Sequence, residues 1–294
     1  MTDPSVVIVG GGPAGIAAAI QLQRYGLHPV LYEANELGGL LRNANLVENY
    51  PGFPGGITGR ELVGLFRRQV EQFAVDVRNE RVLNFDVQRQ GFTLAVATTT
   101  HQADIVLLAT GTNPIRLPDG MVPEDCINLI HCEVVALREL RDRRVAIIGA
   151  GDAAFDYALQ LANKNDVVIY NRSARIRAMS PLISRVQMHP HINYELDHEL
   201  ISLQRVNEDE LELTLTGPDG EVVGVFDRLI CALGRSPNLD CIPESVVEDN
   251  PDLRGIENLY ILGDLANNLY RQTSIAVGDG VRTAMRIWDR LELK

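Results

Sequence analysis

The sequence predicts an α/β protein made of two Rossmann-like, three-layer dinucleotide-binding domains, with the second domain inserted in the first. An internal repeat is the main observation: residues 6–33 read VVIVGGGPAGIAAAIQLQRYGLHPVLYE, and residues 145–171 read VAIIGAGDAAFDYALQLANKNDVVIYN. Each repeat has an apolar strand, a glycine turn, an Ala-rich helix and a second strand, which is the order of a βαβ unit. Because a βαβ unit with such a turn typically binds a dinucleotide, two of them predict two dinucleotide sites.

Two proline-rich polar stretches, 112–120 and 235–244, predict where the chain crosses between the domains. The second repeat lies between these stretches, so the first domain is expected to be discontinuous in sequence. We expect a first domain of residues 1–116 and 236–294 and a second domain of residues 117–235.

Composition limits the classes of partner. The chain has 294 residues, 46% hydrophobic residues and a formal net charge of -12. Because a surface that follows phosphates needs an excess of Lys and Arg, this charge argues against nucleic acid as a partner. No secretion signal is visible, and no apolar run approaches the roughly 20 residues that a membrane helix needs. We therefore expect a cytoplasmic protein that does not bind membranes.

The first glycine turn has the pattern Gly10-x-Gly12-x-x-Gly15 between an apolar strand and a helix. In this context the glycines allow a tight turn, close approach to a pyrophosphate and close packing of helix on strand. Glu33 ends the second strand, where a carboxylate accepts hydrogen bonds from a ribose 2'-hydroxyl and repels a 2'-phosphate. The turn therefore predicts a site for FAD or NAD, formed by Gly10, Gly12, Pro13, Ala14, Gly15 and Glu33.

The second glycine turn differs from the first at the ribose position. Asn171 stands where the first repeat has Glu33, and arginines follow at once. An uncharged residue with neighbouring guanidinium groups favours a 2'-phosphate, so NADPH is favoured over NADH; the alternative is a solvated arginine loop. The predicted NAD(P)H residues are Gly149, Gly151, Asp152, Ala153, Asn171, Arg172 and Arg177.

Two further stretches resemble thioredoxin reductases. Gly38-Gly39 with 47-VENYPGFPGGITGREL-62 is similar to the flavin domain of that family, and 261-ILGDLANNLYRQTSIAVGDG-280 is similar to its closing flavin motif. The resemblance implies FAD at the first site, NADPH at the second and a homodimer. The FAD residues that it implies are Gly38, Gly39, Leu40, Asn49, Val82, Ala109, Thr110, Gly111, Gly263, Asp264, Arg271, Gln272 and Thr273.

The Cys-x-x-Cys of thioredoxin reductases is absent from this sequence. Cys126 and Cys132 lie in the corresponding region, but an extended strand would separate them by about 20 Å, beyond the ~7 Å Cα limit for a disulfide. The stretch 130–159 resembles thioredoxin-reductase-like ferredoxin-NADP reductases, which lack the dithiol. The expected function is therefore transfer of electrons from NAD(P)H through FAD to ferredoxin or a small acceptor.

Two alternatives stay open. One is a disulfide reductase that uses Cys126 and Cys132 with a thioredoxin-like partner. The other is a non-enzymatic or subunit-type flavoprotein whose second nucleotide site has diverged, as Asn171 allows. No metal is expected: His189, His191 and His198 lie in a segment, 188–200, without ligand spacing, and we interpret this segment as a solvent-facing loop.

Overall fold

The computed structural model of the protein describes residues 4–250, 253 and 255–293 and divides into two compact units. The first unit contains Met1–Arg42, Val47–Asn113 and Pro237–Lys294, and the second contains Asn43–Leu46 and Pro114–Ser236. One unit is thus inserted in the other. The short segment Asn43–Leu46 belongs to the second unit, which the sequence does not indicate.

The helices and strands alternate in the order expected for two α/β units. Before the first crossing they are β1 (Val6–Val9), α1 (Pro13–Arg24), β2 (Val30–Tyr32), α2 (Gly59–Gln72), β3 (Asp76–Arg78), β4 (Asn84–Val87), β5 (Phe92–Ala95), β6 (Thr100–Ala103) and β7 (Ile105–Leu108). From the first crossing to the second they are β8 (Thr112–Pro114), β9 (Ile130–His131), β10 (Arg144–Ile148), α3 (Asp152–Leu161), β11 (Asp166–Asn171), α4 (Ser180–Gln187), β12 (Ile192–Leu196), β13 (Glu199–Arg205), β14 (Leu211–Gly217), β15 (Gly220–Phe226), β16 (Arg228–Cys231) and β17 (Arg235–Pro237). The chain then forms α5 (Glu244–Asp249), β18 (Leu259–Ile261) and α6 (Thr273–Glu292).

The first unit is built on a five-stranded parallel sheet with the strand order β18-β7-β1-β2-β3. All four residues of β1 and all four of β7 are buried, as expected for parallel strands that are covered on both faces. The antiparallel sheet β4-β5-β6 covers one face, where Phe85 and Phe92 stack at 5.1 Å within the core. Helices α1 and α6 pack against each other in the same unit.

Small residues allow α1 and α6 to approach closely. A Cβ atom on Gly280 would lie 2.2 Å from the Ala14 carbonyl oxygen and 3.0 Å from the Ala17 Cβ. At the far end of the pair, Tyr25 and Trp288 stack with ring centroids 4.9 Å apart. The contact therefore combines a tight small-residue crossing with an aromatic stack.

The second unit repeats this architecture. Its parallel sheet has the order β12-β11-β10-β16-β9, and the antiparallel sheet β13-β14-β15 packs on one face of it. Phe155 and Leu161 of α3 and Val186 of α4 pack on the other face. Helices, parallel sheet and antiparallel sheet give three layers in each unit, and this confirms the predicted fold class.

One local expectation was wrong, and the extended-strand distance between Cys126 and Cys132 does not apply. Segment 188–200 is not a loop, because it contains β12, which pairs with β11, and the start of β13. The segment from Cys126 to Cys132 is not a continuous strand, because Glu124–Leu129 forms a 3-10 helix before the two-residue strand β9. In both segments the local structure depends on pairing with a strand outside the segment: β12 pairs with β11, and β9 pairs with β16.

Neither a metal-binding cluster nor a membrane-spanning helix occurs among the residues that the structure describes. No group of three or more His, Cys, Asp or Glu side chains in the described ranges has an arrangement that could hold a metal ion. His191 instead pairs with Asp166 at 2.9 Å. Within the same ranges, no helix has both the length and the apolar character needed to cross a bilayer.

The contact between α1 and α6 gives a stability prediction. Gly280→Ala places a methyl group against the α1 backbone, so we expect it to lower the free energy of unfolding by about 1–3 kcal/mol. Gly278→Ala is the matched control, because a Cβ there meets nothing within 4 Å, and it should be neutral or slightly stabilising. Urea unfolding followed by circular dichroism measures both, and equal stability of the two variants would contradict the close contact.

Candidate dinucleotide-binding sites

The first glycine turn is fixed by its two neighbouring strands. Gly10 has φ +108°, and a Cβ atom there would lie 2.3 Å from the carbonyl oxygen of Ala109, at the end of β7. The Gly10 N–H donates to the Tyr32 carbonyl of β2 at 2.8 Å. Only glycine fits both the positive φ and the close approach, so the backbone leaves β1 through a turn held on both sides.

The turn opens into α1 with its backbone accessible. Gly12 is the N-cap residue of α1, and a Cβ atom there would meet nothing within 4 Å. Pro13 and Ala14 begin the helix, where proline is favoured because the first N–H needs no helical partner. A Cβ atom on Gly15 would lie 1.9 Å from the Gly10 carbonyl oxygen. The open surface at Gly12 therefore fits a pyrophosphate that approaches the helix N-terminus.

Glu33 is bonded directly to the glycine turn. One carboxylate oxygen accepts from the Gly11 N–H at 2.7 Å, and the other accepts from the Asn35 N–H at 2.8 Å. Gly11 also accepts from the Gly38 N–H at 2.8 Å. Gly11 is a site residue that the sequence analysis missed, although the run of three glycines was a signal for it.

The predicted FAD residues converge because the strands of the sheet are parallel. The carboxyl ends of parallel strands meet at one edge of a sheet, which is where ligands bind in such folds. Several of the predicted segments directly follow a strand of the first sheet. They are Gly10–Gly12 after β1, Glu33 after β2, Ala109–Gly111 after β7, and Gly263 and Asp264 after β18.

Gly38, Gly39 and Leu40 lie beside this turn. Gly39 has φ +52°, and a Cβ atom there would lie 3.1 Å from the Gly12 Cα. Gly38 has φ +114°, and Leu40 follows in the 3-10 helix Gly39–Asn43, where it is half-buried. Val82 is buried after β3.

The two flavin segments taken from the family resemblance contact each other. The Asn49 side chain donates to the Gln272 side chain at 2.8 Å, and the Ser274 hydroxyl donates to the Asn49 carbonyl at 3.4 Å. Gln272 is the N-cap of α6, Thr273 begins the helix, and Arg271 precedes it. These residues therefore come together at the start of α6.

The sequence did not predict several polar residues that support this site. Thr110 donates through its hydroxyl to the Asn238 carbonyl at 2.6 Å, and the Asn238 N–H donates to Gly111 at 3.0 Å. Asn267 donates to the Gly263 carbonyl at 2.8 Å and also bonds the buried Asp279. No short sequence pattern signals these contacts, because each joins a loop to a distant or irregular segment.

The second glycine turn has the same geometry as the first. Gly149 has φ +134°, and a Cβ atom there would lie 2.3 Å from the Ala232 carbonyl oxygen. Its N–H donates to the Tyr170 carbonyl of β11 at 3.0 Å. Gly151 is the N-cap of α3 and is open to a ligand, as Gly12 is. Asp152 and Ala153 form the first turn of α3, so this turn also fits a pyrophosphate.

Asn171 shapes the loop that follows β11. Its side chain is buried and donates to the Tyr194 hydroxyl at 2.9 Å and to the Arg175 carbonyl at 3.2 Å. Its amide oxygen accepts from the Ser173 N–H at 3.3 Å. The amide is therefore used to hold the arginine-containing loop.

The arginine loop is fastened to the second glycine turn. The Arg177 N–H donates to the Ala150 carbonyl at 2.9 Å, and the Met179 N–H donates to the Asp152 carboxylate at 2.8 Å. Arg172, Arg175 and Arg177 are exposed. In the part of the chain that the structure describes, no ion pair joins any of the three guanidinium groups to an acid. The loop thus offers positive charge beside a pyrophosphate site.

All four cysteines are free thiols. Cys126 is fully buried in the 3-10 helix, and burial together with the Asp125 carboxylate raises the pKa of its thiol. Burial raises the pKa of Cys231 to about 12. Cys132 is half-buried just after β9, and its pKa is raised chiefly by burial.

The fold and its two turns define a class: flavoproteins with paired dinucleotide-binding domains. Residues 4–280 match the family of pyridine nucleotide-disulphide oxidoreductases, and the chain belongs to that family. It is an FAD-dependent NAD(P)H oxidoreductase of the thioredoxin-reductase-like type.

Individual relatives cover nearly the whole chain. A thioredoxin reductase from Mycolicibacterium smegmatis is 30% identical over 95% of this chain and 94% of its own length. A thioredoxin reductase from Yarrowia lipolytica is 31% identical over 97% of both chains. The Lactococcus lactis thioredoxin reductase structure (FR conformation) superposes with a TM-score of 0.86, covers 97% of this chain and 98% of its own, and has 23% identity, so it shows the fold.

Glu33 gives a prediction for FAD affinity. Glu33→Ala removes the acceptor of the Gly11 N–H and the predicted ribose contact. Since hydrogen bonds to charged groups contribute about 1.5–3 kcal/mol, we expect the FAD dissociation constant to rise roughly 10- to 100-fold. Titration of the apoprotein with FAD, followed by flavin fluorescence, measures it. Glu71→Ala, which removes an exposed carboxylate on α2, is the control; equal FAD affinity in both variants would contradict the assignment.

Proposed function

We propose that the chain oxidises NADPH and delivers the electrons, through bound FAD, to a disulfide substrate. The main support for the proposal is a difference in charge: two glycine turns with equivalent geometry have side chains of opposite charge at the position of the ribose. Glu33 places a carboxylate beside the first turn, and the second turn is bordered by an arginine loop. One site therefore favours FAD and the other favours a nucleotide with a 2'-phosphate.

The disulfide acceptor is supported by the relatives. The sequence alone favoured ferredoxin or a small acceptor, because the Cys-x-x-Cys is absent. The relatives with about 30% identity over nearly the full chain are named thioredoxin reductases, so a small disulfide protein or a low-molecular-weight disulfide is the better candidate. A thioredoxin-like partner, NADPH rather than NADH, and a homodimer belong to this proposal.

The residues of the chain have distinct tasks in this scheme. When bound, the cofactors supply hydride transfer from nicotinamide to flavin, and the protein aligns them. Glu33 repels a 2'-phosphate from the first site, so NADP(H) is directed away from it. Arg172 and Arg177 attract that phosphate at the second site, and Asn171 holds the loop that carries them.

A second candidate is direct transfer from the flavin to a one-electron carrier. The absence of a Cys-x-x-Cys from the sequence favours it. The two candidates share the NADPH half-reaction and differ in the acceptor. A non-enzymatic role is no longer retained, because the chain belongs to an oxidoreductase family.

Anaerobic stopped-flow mixing tests the proposal. We expect NADPH to bleach the flavin absorbance, and oxidised thioredoxin or oxidised glutathione to restore it faster than oxidised ferredoxin does. Recovery with ferredoxin alone would replace the disulfide acceptor by the one-electron carrier. A flavin that neither NADPH nor NADH bleaches would reject the proposal as a whole.

Nucleotide preference is expected to depend on the arginine loop. Arg172→Gln and Arg177→Gln each remove one charged partner of a 2'-phosphate, worth about 1.5–3 kcal/mol, so the KM for NADPH should rise roughly 10- to 100-fold. The KM for NADH should not change, because NADH has no 2'-phosphate. Arg89→Gln removes an equal charge from an exposed turn of the first unit and serves as the control. Parallel KM shifts for both nucleotides would contradict a specific phosphate contact.

A further inference from the structure

Two cysteines that are distant in sequence lie at the ends of neighbouring strands: Cys132 directly follows β9, and Cys231 is the last residue of β16. Strand β9 pairs in parallel with β16 through Ile130 with Leu229 and His131 with Ile230. Cys132 directly follows β9, so extending this register by one position would bring Cys132 opposite Cys231. Adjacent strands lie about 4.8 Å apart, which falls within the ~4.4–6.8 Å Cα separation of disulfides.

The two thiols also share one face of the sheet. Residues opposite each other in a parallel pair point to the same side, and successive residues alternate. Cys132 and Cys231 pack in the core cluster that contains Ile130 and Leu229, whereas Ile230 packs in the cluster on the other face. Burial, and after it the Cys132 thiol, raises the pKa of Cys231, which is consistent with this placement.

The surroundings of the pair are asymmetric. Cys231 is 3% exposed, whereas Cys132 is half-buried and follows the end of β9 in a bend. Burial raises the pKa of the Cys132 thiol; the guanidinium groups of Arg116 and Arg235 act against this rise, and Glu133, which pairs with Arg235 at 3.2 Å, adds to it. Cys132 is thus the thiol that an external disulfide reaches first.

We propose that Cys132 and Cys231 form a reversible redox pair that exchanges with a disulfide substrate. The Cys132 sulfur attacks the substrate disulfide, forms a mixed disulfide and releases one thiol. The Cys231 sulfur then attacks Cys132, closes the intrachain disulfide and releases the second thiol. In balance, one substrate disulfide and two protein thiols become two substrate thiols and one protein disulfide, with two electrons transferred.

This pair deepens the proposed function, on which it rests, by naming the residues that meet a disulfide substrate. It also differs from the sequence-based alternative, because it pairs Cys132 with Cys231 and not with Cys126, which packs in the same core cluster.

Disulfide mapping of the flavin-loaded protein tests the pair. The protein is incubated with oxidised glutathione, blocked with N-ethylmaleimide under denaturing conditions and digested with trypsin. Peptide 117–138 contains Cys126 and Cys132, and peptide 229–235 contains Cys231. Using Cys126→Ser, we expect mass spectrometry to find these two peptides linked. Persistent glutathione on Cys132 without the link, or a link from Cys132 to Cys126 in the unsubstituted protein, would overturn the proposal.

Single substitutions give an independent measurement. In Cys231→Ser, glutathione should stay trapped on Cys132, and in Cys132→Ser neither adduct nor link should form. Both variants should reduce glutathione disulfide with NADPH about tenfold more slowly or worse, whereas Cys241→Ser, a buried thiol of the first unit, should match the unsubstituted protein. Circular dichroism checks that each variant is folded; the mapping experiment decides if one is not.

The two proposals fail in distinguishable ways. If the linked peptide forms but NADPH reduces neither the flavin nor any disulfide, the redox pair stands and the proposed function falls. If NADPH-dependent disulfide reduction persists in Cys132→Ser and Cys231→Ser and no link is found, the function stands and the pair falls.

Discussion

The close approach between each glycine turn and the end of a neighbouring strand is the constraint on which the rest of both sites depends. In the first unit Gly10 lies against Ala109, and in the second Gly149 lies against Ala232, with the same 2.3 Å to a would-be Cβ. Any side chain at either glycine would push the turn away from the sheet. The pyrophosphate surface at the helix N-terminus, and every residue placed around it, depends on this backbone fit.

The two glycine turns share this geometry, but the middle residue of each turn has a different hydrogen-bond partner. Gly11 uses its N–H to bond the Glu33 carboxylate, whereas Ala150, its counterpart, uses its carbonyl to accept the N–H of Arg177. The first turn thereby holds negative charge at the ribose end, and the second holds a cationic loop. The opposite charges beside the two turns thus come from the Glu33 carboxylate in the first unit and from the arginine loop in the second.

Much of this could be predicted from sequence, and the physical reason is locality. Glycine turns, Ala-rich helices and the acid at Glu33 lie within one βαβ unit of each other, so spacing alone places them. The contacts of Asn238 with Thr110 and of Asn267 with Asp279 were missed, because each joins a loop residue to a segment whose position is set by tertiary packing. Segment 188–200 was misjudged as a loop because its strand β12 is stabilised by pairing with β11, which no local pattern records.

The cysteines are a clearer example of contacts that local sequence patterns do not predict. Along the sequence, Cys126 and Cys132 are the two cysteines nearest each other, and the structure places Cys126 in the 3-10 helix Glu124–Leu129 and Cys132 directly after β9. In the fold, Cys132 instead lies at the end of β9, beside strand β16, whose last residue, Cys231, is almost a hundred positions away in sequence. A parallel sheet makes neighbours of strands that must be connected by long crossovers, so a pair on adjacent parallel strands is invisible to any short spacing motif. The absence of a Cys-x-x-Cys therefore removes one local arrangement of two thiols, and the proposed pair of Cys132 and Cys231 is a non-local alternative to it.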